Sequence, residues 1–125
     1  RDYREGLEGD PDGDFEQALA IETTVITTNH PRWVTVDGGL KAFSTDGPLP
    51  RALDPRFADC TFRFFGDEHG LVMRPADGAP VLRGTRIAFA PGHIDPTLDR
   101  YDMIHLVQGD VLVEIAPVEG RGASQ

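Results

Sequence analysis

Short stretches in which apolar and polar residues alternate recur along the chain, and they predict β-strands. Residues 61–65 and 86–90 alternate large apolar side chains with smaller or polar ones, which is the period of a strand with one buried face. Residues 19–28 are rich in β-branched side chains, which also favours a strand, although residues 15–21 could instead form a short helical turn. The complete set of predicted strands is 19–28, 33–36, 61–65, 70–74, 86–90, 103–107 and 111–115.

The segments between these strands read as turns and loops rather than helices. Gly109-Asp110 separates the last two strands and predicts a hairpin. Residues 42–59 contain three prolines and no clear period, so they are predicted as a loop. Many short strands without a long helix predict an all-β fold, mainly antiparallel, in the form of a small barrel or sandwich.

The length of 125 residues fits one domain with one core. Residues 1–14 are acidic and glycine-rich, and we expect a flexible, solvated segment there. Residues 15–119 are expected to form the β domain, and residues 120–125 a flexible tail. The chain begins at Arg1 in polar sequence, without a signal-peptide pattern.

Charge and composition exclude several classes of function. The formal net charge of -9 argues against a nucleic-acid binder and against binding to anionic membranes. The longest apolar runs are about four residues, against the roughly 20 that span a bilayer. The single cysteine, Cys60, excludes an internal disulfide and a multi-thiolate zinc site, and it favours a reducing, cytoplasmic compartment.

The segment Pro91-Gly92-His93-Ile94-Asp95-Pro96-Thr97 carries the best candidate chemistry. In extended backbone His93 and Asp95 point to the same face, so their imidazole and carboxylate converge. A nitrogen and a hard oxygen donor suit Mn²⁺, Mg²⁺ or Zn²⁺. On the spacing alone, a His93–Asp95 hydrogen bond in a proline-rich turn is the better interpretation, because H-x-D is a short pattern with many accidental matches. Two ligands are also too few for a complete protein site.

Other polar residues are weaker candidates. Glu68 and His69 could act in acid–base catalysis, but a role in stabilising a turn fits them better. Lys41, the only lysine, is predicted to be solvated or salt-bridged. His105 lies in an apolar strand and is predicted to be packed in the core or at a sheet edge. His30 is predicted to lie in a surface loop, and Cys60 to be a small buried hydrophobic residue.

Five motifs in order carry a resemblance to a known family. The sequence reads Phe15-Glu16-Gln17-Ala18-Leu19, Thr24-Val25-Ile26-Thr27, Val36-Asp37-Gly38-Gly39-Leu40-Lys41-Ala42-Phe43-Ser44-Thr45-Asp46, Asp67-Glu68-His69-Gly70 and Pro91-Gly92-His93-Ile94-Asp95-Pro96-Thr97 followed by Tyr101-Asp102. This order resembles the C-terminal part of D-threonine aldolases and eukaryotic-type D-serine dehydratases, which are metal-activated, pyridoxal-phosphate enzymes of the alanine-racemase-like fold type. The resemblance covers nearly the whole chain.

The resemblance implies that the chain is the C-terminal β domain of a longer enzyme, with residues 1–14 as the connection between its domains. An N-terminal (β/α)₈ barrel would hold pyridoxal phosphate on its own lysine, so Lys41 is not expected to bind the cofactor. His93 and Asp95 match the metal ligands of the family, and Asp95 in place of a cysteine favours an aldolase and Mn²⁺ or Mg²⁺ over Zn²⁺. The expected reaction is cleavage of D-3-hydroxy amino acids to glycine and an aldehyde. The resemblance further implies a homodimer and a fragment that is inactive alone.

Three alternatives stay open at this stage. A D-serine dehydratase-like enzyme, or a relative that acts on 3-hydroxyaspartate, could use the same ligand pair. Residues 104–113 also resemble the strand–turn–strand of a self-contained, cupin-like metal-binding barrel, although the H-x-H cluster of such sites is missing. Finally, the chain could be a non-catalytic interaction domain with a structural His93–Asp95 pair.

Overall fold

The computed structural model describes residues 16–122, and within them strands dominate. The strands are β1 (Ile21–Thr27), β2 (Trp33–Val36), β3 (Arg51–Ala52), β4 (Thr61–Phe64), β5 (Gly70–Met73), β6 (Arg86–Ala90), β7 (Met103–Gln108) and β8 (Val111–Pro117). One 3₁₀ turn, Pro55–Phe57, and one short helix, α1 (Ile94–Leu98), complete the described elements. The predicted strands are all present, with ends that differ by at most two residues.

Six strands form one antiparallel sheet that curls into a nearly closed barrel. The order in the sheet is β3-β6-β1-β2-β5-β4, and every neighbouring pair is antiparallel. The two end strands, β3 and β4, contact each other. Curling of this kind covers the free edges of a sheet, which would otherwise expose unpaired backbone groups. The predicted all-β, antiparallel barrel is therefore confirmed.

Alternating side chains of the six strands fill the barrel. In β2, for example, Val34 and Val36 are buried while the two residues beside them are only half-buried. Three phenylalanines, Phe43, Phe62 and Phe89, meet edge to face with ring centroids 5.3–6.0 Å apart. Edge-to-face contact is a favoured geometry for aromatic pairs. The complete buried cluster is Val25, Val34, Val36, Phe43, Phe57, Phe62, Val72, Ile87 and Phe89.

The prediction of residues 42–59 as a plain loop is wrong in two places. Arg51 and Ala52 form β3, which pairs with β6. The 3₁₀ turn begins after Asp54, whose carboxylate accepts a hydrogen bond from the backbone N–H of Arg56 at 2.8 Å. Phe43 and Phe57 from this region are buried in the core. The segment is thus part of the barrel, although it has no period of its own.

The last two strands form a separate hairpin. β7 pairs with β8 around the turn at Gly109, as the sequence predicts, and no other strand of the described residues pairs with either of them. His105 on β7 is exposed rather than packed in a core. Both strands also expose several large apolar side chains: Met103, Leu106, Val107, Val111, Leu112, Val113 and Ile115.

Some sequence-based expectations lie outside the described residues. The flexible acidic segment 1–14 does, and so do residues 123–125 of the expected tail. The domain boundaries at residues 15, 119 and 120 stay predictions. Between residues 16 and 122, no helix is long and apolar enough to cross a membrane.

Candidate functional site

His93 lies at the surface of the barrel, three residues after the end of strand β6. Pro91 and Gly92 follow the strand and are both buried. A Cβ atom on Gly92 would collide with the backbone carbonyl oxygen of Pro48, so the two backbone segments pack directly on each other. His93 then adopts an extended conformation, with φ -141° and ψ 119°, and is the N-cap of helix α1. Its side chain is 34% exposed, so one edge of the ring can reach solvent or a ligand.

The structure corrects how His93 and Asp95 are related. The prediction of extended backbone across both residues is wrong, because helix α1 begins at Ile94 and places Asp95 in its first turn. Side chains two apart on a helix do not face each other. His93 is the N-cap residue and Asp95 follows it in the first turn, although the His93 side chain makes no capping hydrogen bond to that turn. Both candidate ligands therefore lie at the N-terminal end of α1, and the carboxylate of Asp95 is exposed.

A carboxylate that the sequence did not single out contacts His93. The Oδ2 atom of Asp46 lies 2.6 Å from Nδ1 of the imidazole, and the two residues are 47 positions apart in sequence. The Thr97 hydroxyl, fully buried on α1, donates a hydrogen bond to the His93 carbonyl at 2.6 Å. Asp46 is the last residue of the Val36–Asp46 motif quoted above. The local sequence around it gives no sign of a contact with His93, which is 47 positions away.

Glu68 pairs with Lys41 rather than acting with His69. The Lys41 ammonium donates a hydrogen bond to the Glu68 carboxylate at 2.6 Å, as expected for a salt-bridged lysine. This hydrogen bond, with the opposite charge of Lys41, lowers the pKa of Glu68, and the same contact raises the pKa of Lys41. A lowered pKa keeps Glu68 ionised, so it is poorly suited to donate a proton near neutral pH.

A small cavity lies beside this ion pair. Its volume is about 250 Å³, and Lys41, Glu68 and Tyr101 contribute to its lining. Gly39 lets the loop approach closely, since a Cβ there would lie 2.5 Å from the backbone nitrogen of His69. The His69 side chain itself is exposed and is not part of the lining. The structure thus brings Lys41 and Glu68 together at this cavity, whereas the His69 side chain lies outside its lining.

The other candidates occupy separate places. Cys60 is half-buried, and desolvation raises the pKa of its thiol, which disfavours the reactive thiolate. It borders a second cavity of about 560 Å³ that includes neither His93 nor Asp95. His30 stacks on Trp33 with ring centroids 3.3 Å apart, consistent with a surface loop residue.

The geometry offers a divalent metal two donors at one helix end. Among residues 16–122, no group of three or more histidine, cysteine, aspartate or glutamate residues is arranged to hold a metal ion. An imidazole and a carboxylate nonetheless match the ligand preferences of Mn²⁺, Mg²⁺ and Zn²⁺. His93 and Asp95 are therefore the candidate metal ligands among residues 16–122, and two ligands alone do not complete a metal site.

The chain is similar in sequence to a known protein family and to characterised aldolases. The family model described as "Putative serine dehydratase domain" matches residues 18–107, which is more than half of the chain. A 3-hydroxy-D-aspartate aldolase from Paracoccus denitrificans (strain Pd 1222) is 36% identical over 114 residues, covering 88% of this chain and 27% of the relative. A D-threonine aldolase from an Arthrobacter species is 33% identical, covering 89% of this chain and 29% of the relative.

A solved structure agrees with the sequence relatives. The crystal structure of a D-threonine aldolase from Filomicrobium marinum superposes with a TM-score of 0.84 at 29% identity, and it covers 99% of this chain and 34% of that one. The chain spans less than a third of the length of the two curated relatives. The matches extend across the barrel and the His93 segment. The chain therefore belongs to the family of D-threonine aldolases and serine dehydratases that its sequence motifs indicate.

Proposed function

We propose that this chain is the metal-binding C-terminal β domain of a D-threonine aldolase-like enzyme. One observation carries the proposal: His93 is the N-cap residue of α1, Asp95 lies in its first turn, and the Nδ1 atom of the imidazole is already engaged by Asp46. Such an arrangement leaves Nε2 as the ring atom available to a metal. The relatives named as aldolases support an aldolase reaction on D-3-hydroxy amino acids.

The residues present fit a divalent cation. Asp95 is a hard, exposed carboxylate, and an exposed carboxylate is accessible to a hydrated ion. The donor pair favours Mn²⁺ or Mg²⁺, with Zn²⁺ as the softer alternative. Water, the substrate or another domain would provide the remaining ligands. Bound there, the metal would act as a Lewis acid toward a substrate oxygen, while pyridoxal phosphate on a lysine outside this chain would take up electrons from the substrate.

The residues of this chain would bind and orient rather than perform the carbon chemistry. His93 is held by its backbone, through Thr97, and by its side chain, through Asp46. Holding a ligand in place before the metal arrives reduces the entropy lost on binding. Lys41 and Glu68 neutralise each other, so we assign them a structural role in the loop beside the site. The base for the reaction would then come from the other domain.

A (β/α)₈ barrel domain of the same longer enzyme is the partner we propose for the β7–β8 hairpin. The chain spans 27–34% of its relatives, so most of their length is left for another domain. Apolar side chains are exposed along both strands of the hairpin, Val107 and Val111 among them at 64% and 65%. A two-stranded hairpin is marginal in water unless a further surface covers it. We also expect a homodimer and, from the single cysteine, a cytoplasmic location.

Substitution of the two proposed ligands tests the metal site. In the longer enzyme that contains this chain, we expect His93→Ala or Asp95→Ala to remove Mn²⁺-dependent aldolase activity and to lower the metal content, because either change leaves a single donor. Asp59→Ala is a matched control for Asp95→Ala, since Asp59 is exposed and lies outside both the site and the β7–β8 hairpin. Full activity and full metal content in both ligand variants would exclude this site.

The substrate class allows a second candidate. The relative at 36% identity is named for 3-hydroxy-D-aspartate, whereas the one at 33% is named for D-threonine. Assays of the longer enzyme with both substrates separate them, and each product reports the reaction: glycine indicates aldolase cleavage and ammonia indicates a dehydratase.

A further inference from the structure

The Asp46 carboxylate stands out because it contacts His93 without being one of the two proposed metal ligands. Its Oδ2 atom lies 2.6 Å from Nδ1, which is a short hydrogen bond. An ionised carboxylate can only accept hydrogen bonds, so the proton in this contact belongs to the imidazole. In a neutral ring the lone pair is then on Nε2, the atom that faces away from Asp46.

A closed network of hydrogen bonds, through Thr97, Ser44 and Asp46, supports the contact between Asp46 and the imidazole. The Thr97 hydroxyl donates to the His93 carbonyl at 2.6 Å and accepts from the backbone N–H of Ser44 at 3.0 Å. The Ser44 hydroxyl accepts from the backbone N–H of Asp46 at 3.3 Å. Starting at His93, the path therefore runs through Thr97, Ser44 and Asp46 and returns to the imidazole. Both the backbone and the side chain of His93 are tied to the same loop.

The Asp46 side chain is 61% exposed, but the hydrogen bonds that support its contact with His93 run through buried residues. Thr97 and Ser44 are buried, with 0% and 4% of their surface exposed. Gly92 adds a further constraint, because its backbone packs against Pro48 in the same stretch of loop. Buried and satisfied polar networks fix the positions of their members. Asp46 is thus presented to Nδ1 by a loop with little freedom to move away.

We infer that Asp46 is a positioning residue that fixes His93 in the Nδ1–H tautomer and directs Nε2 toward the metal. This inference rests on the proposed metal site. The chemistry supports it, since metal-bound histidines usually donate their second ring N–H to a carboxylate or carbonyl, which sets the tautomer and raises the basicity of the ligand. Asp46 as a third metal ligand fits poorly, because its near oxygen is engaged by the ring nitrogen opposite the proposed donor.

Nitrogen NMR of the ¹⁵N-labelled chain tests the tautomer without any metal. The barrel has its own core, so the 125-residue chain is a suitable sample. Long-range ¹H–¹⁵N spectra at mildly alkaline pH in the presence of a chelator should place the His93 proton on Nδ1. Asp46→Ala should move it to Nε2, and Asp46→Asn, which keeps a carbonyl acceptor, should leave it on Nδ1. A wild-type ring protonated on Nε2, or a tautomer unchanged in Asp46→Ala, overturns the inference.

Mn²⁺ titration of the same variants tests the consequence for binding. Paramagnetic broadening near His93 measures even a weak affinity, and we expect Asp46→Ala to lower it about 10–100-fold. Asp59→Ala makes the same change of charge at an exposed site and should leave the affinity unchanged. An unchanged affinity in Asp46→Ala overturns the inference. If His93→Ala also binds Mn²⁺ normally, the proposed metal site fails as well, whereas loss of binding in His93→Ala with unchanged binding in Asp46→Ala overturns the inference alone.

Discussion

At the scale of single residues, Thr97 connects packing to the site. Its hydroxyl makes two hydrogen bonds: it donates to the His93 carbonyl and accepts from the Ser44 N–H. Both partners would lose a hydrogen bond in a region closed to water, since Thr97 and Ser44 are buried. A buried polar group left without a partner costs more than the average hydrogen bond contributes.

The substitution Thr97→Val tests how much the two hydrogen bonds of the Thr97 hydroxyl contribute to the free energy of unfolding. Valine has nearly the same shape, so we expect a loss of about 1–3 kcal/mol in the free energy of unfolding, from two unpaired backbone groups. Thr97→Ser keeps the hydroxyl and should lose less. The control is Thr28→Val at an exposed position, which should stay within about 0.5 kcal/mol of the wild type. Urea unfolding gives all three values, and equal stabilities for Thr97→Val and the control would contradict the role of the hydroxyl.

Tyr101 provides a second connection to the same loop. Its hydroxyl donates to the Ala42 carbonyl at 2.8 Å, and burial raises the pKa of the phenol above its ordinary value of 10.0. The folded state therefore prefers the neutral phenol more strongly than the unfolded state does. The resulting stability is fully present below pH 10 and is lost as the pH rises through the raised pKa of the folded state.

We expect Tyr101→Phe to lower the free energy of unfolding by about 1 kcal/mol at neutral pH, because one hydrogen bond is removed. The alkaline part of the stability profile should also become flatter, since the titrating group is gone. Denaturant unfolding from neutral pH to above pH 10 checks both effects. Parallel profiles for the variant and the wild type would show that Tyr101 does not contribute to the pH dependence.

At the scale of elements, local patterns predicted the strands well and the site less well. Alternation at Phe62 and Phe64, and again at Ile87 and Phe89, reflects a buried face, so strands β4 and β6 follow from sequence alone. β3 has only two residues and cannot show a period. Its pairing with β6 depends on the tertiary fold.

Helix α1 was missed for a different reason. Pro96 within five helical residues suggested an irregular segment, but it lies in the first turn, where no helical partner exists for the missing N–H. The Asp46–His93 contact spans 47 positions, and no local pattern encodes such a distance. His93 and Asp95 could be proposed as a ligand pair from sequence, and that assignment stays a prediction. The backbone geometry of the pair and its supporting carboxylate required the structure.

At the scale of the whole molecule, the barrel and the hairpin differ in how they are stabilised. The barrel closes around a shared aromatic and aliphatic cluster that six strands and their loops enclose. The hairpin has backbone pairing from Met103 to Pro117 but leaves seven large apolar side chains exposed. Backbone hydrogen bonds alone contribute little net free energy, because water competes for the same groups.

Hydrogen exchange of the 125-residue chain should reveal this difference directly. We expect amides of β7 and β8 to exchange much faster than those of β2 and β5, because the hairpin can open without exposing the barrel core. Strands β2 and β5 are an internal control, since they are paired over four residues within the barrel in the same sample. In the proposed longer enzyme, we expect the covering barrel domain to slow exchange in β7 and β8 and to leave β2 and β5 unchanged. Equal protection of the hairpin and the barrel in the isolated chain would mean that the hairpin is stable without a partner, and the surface assigned to the second domain would then have to be sought elsewhere.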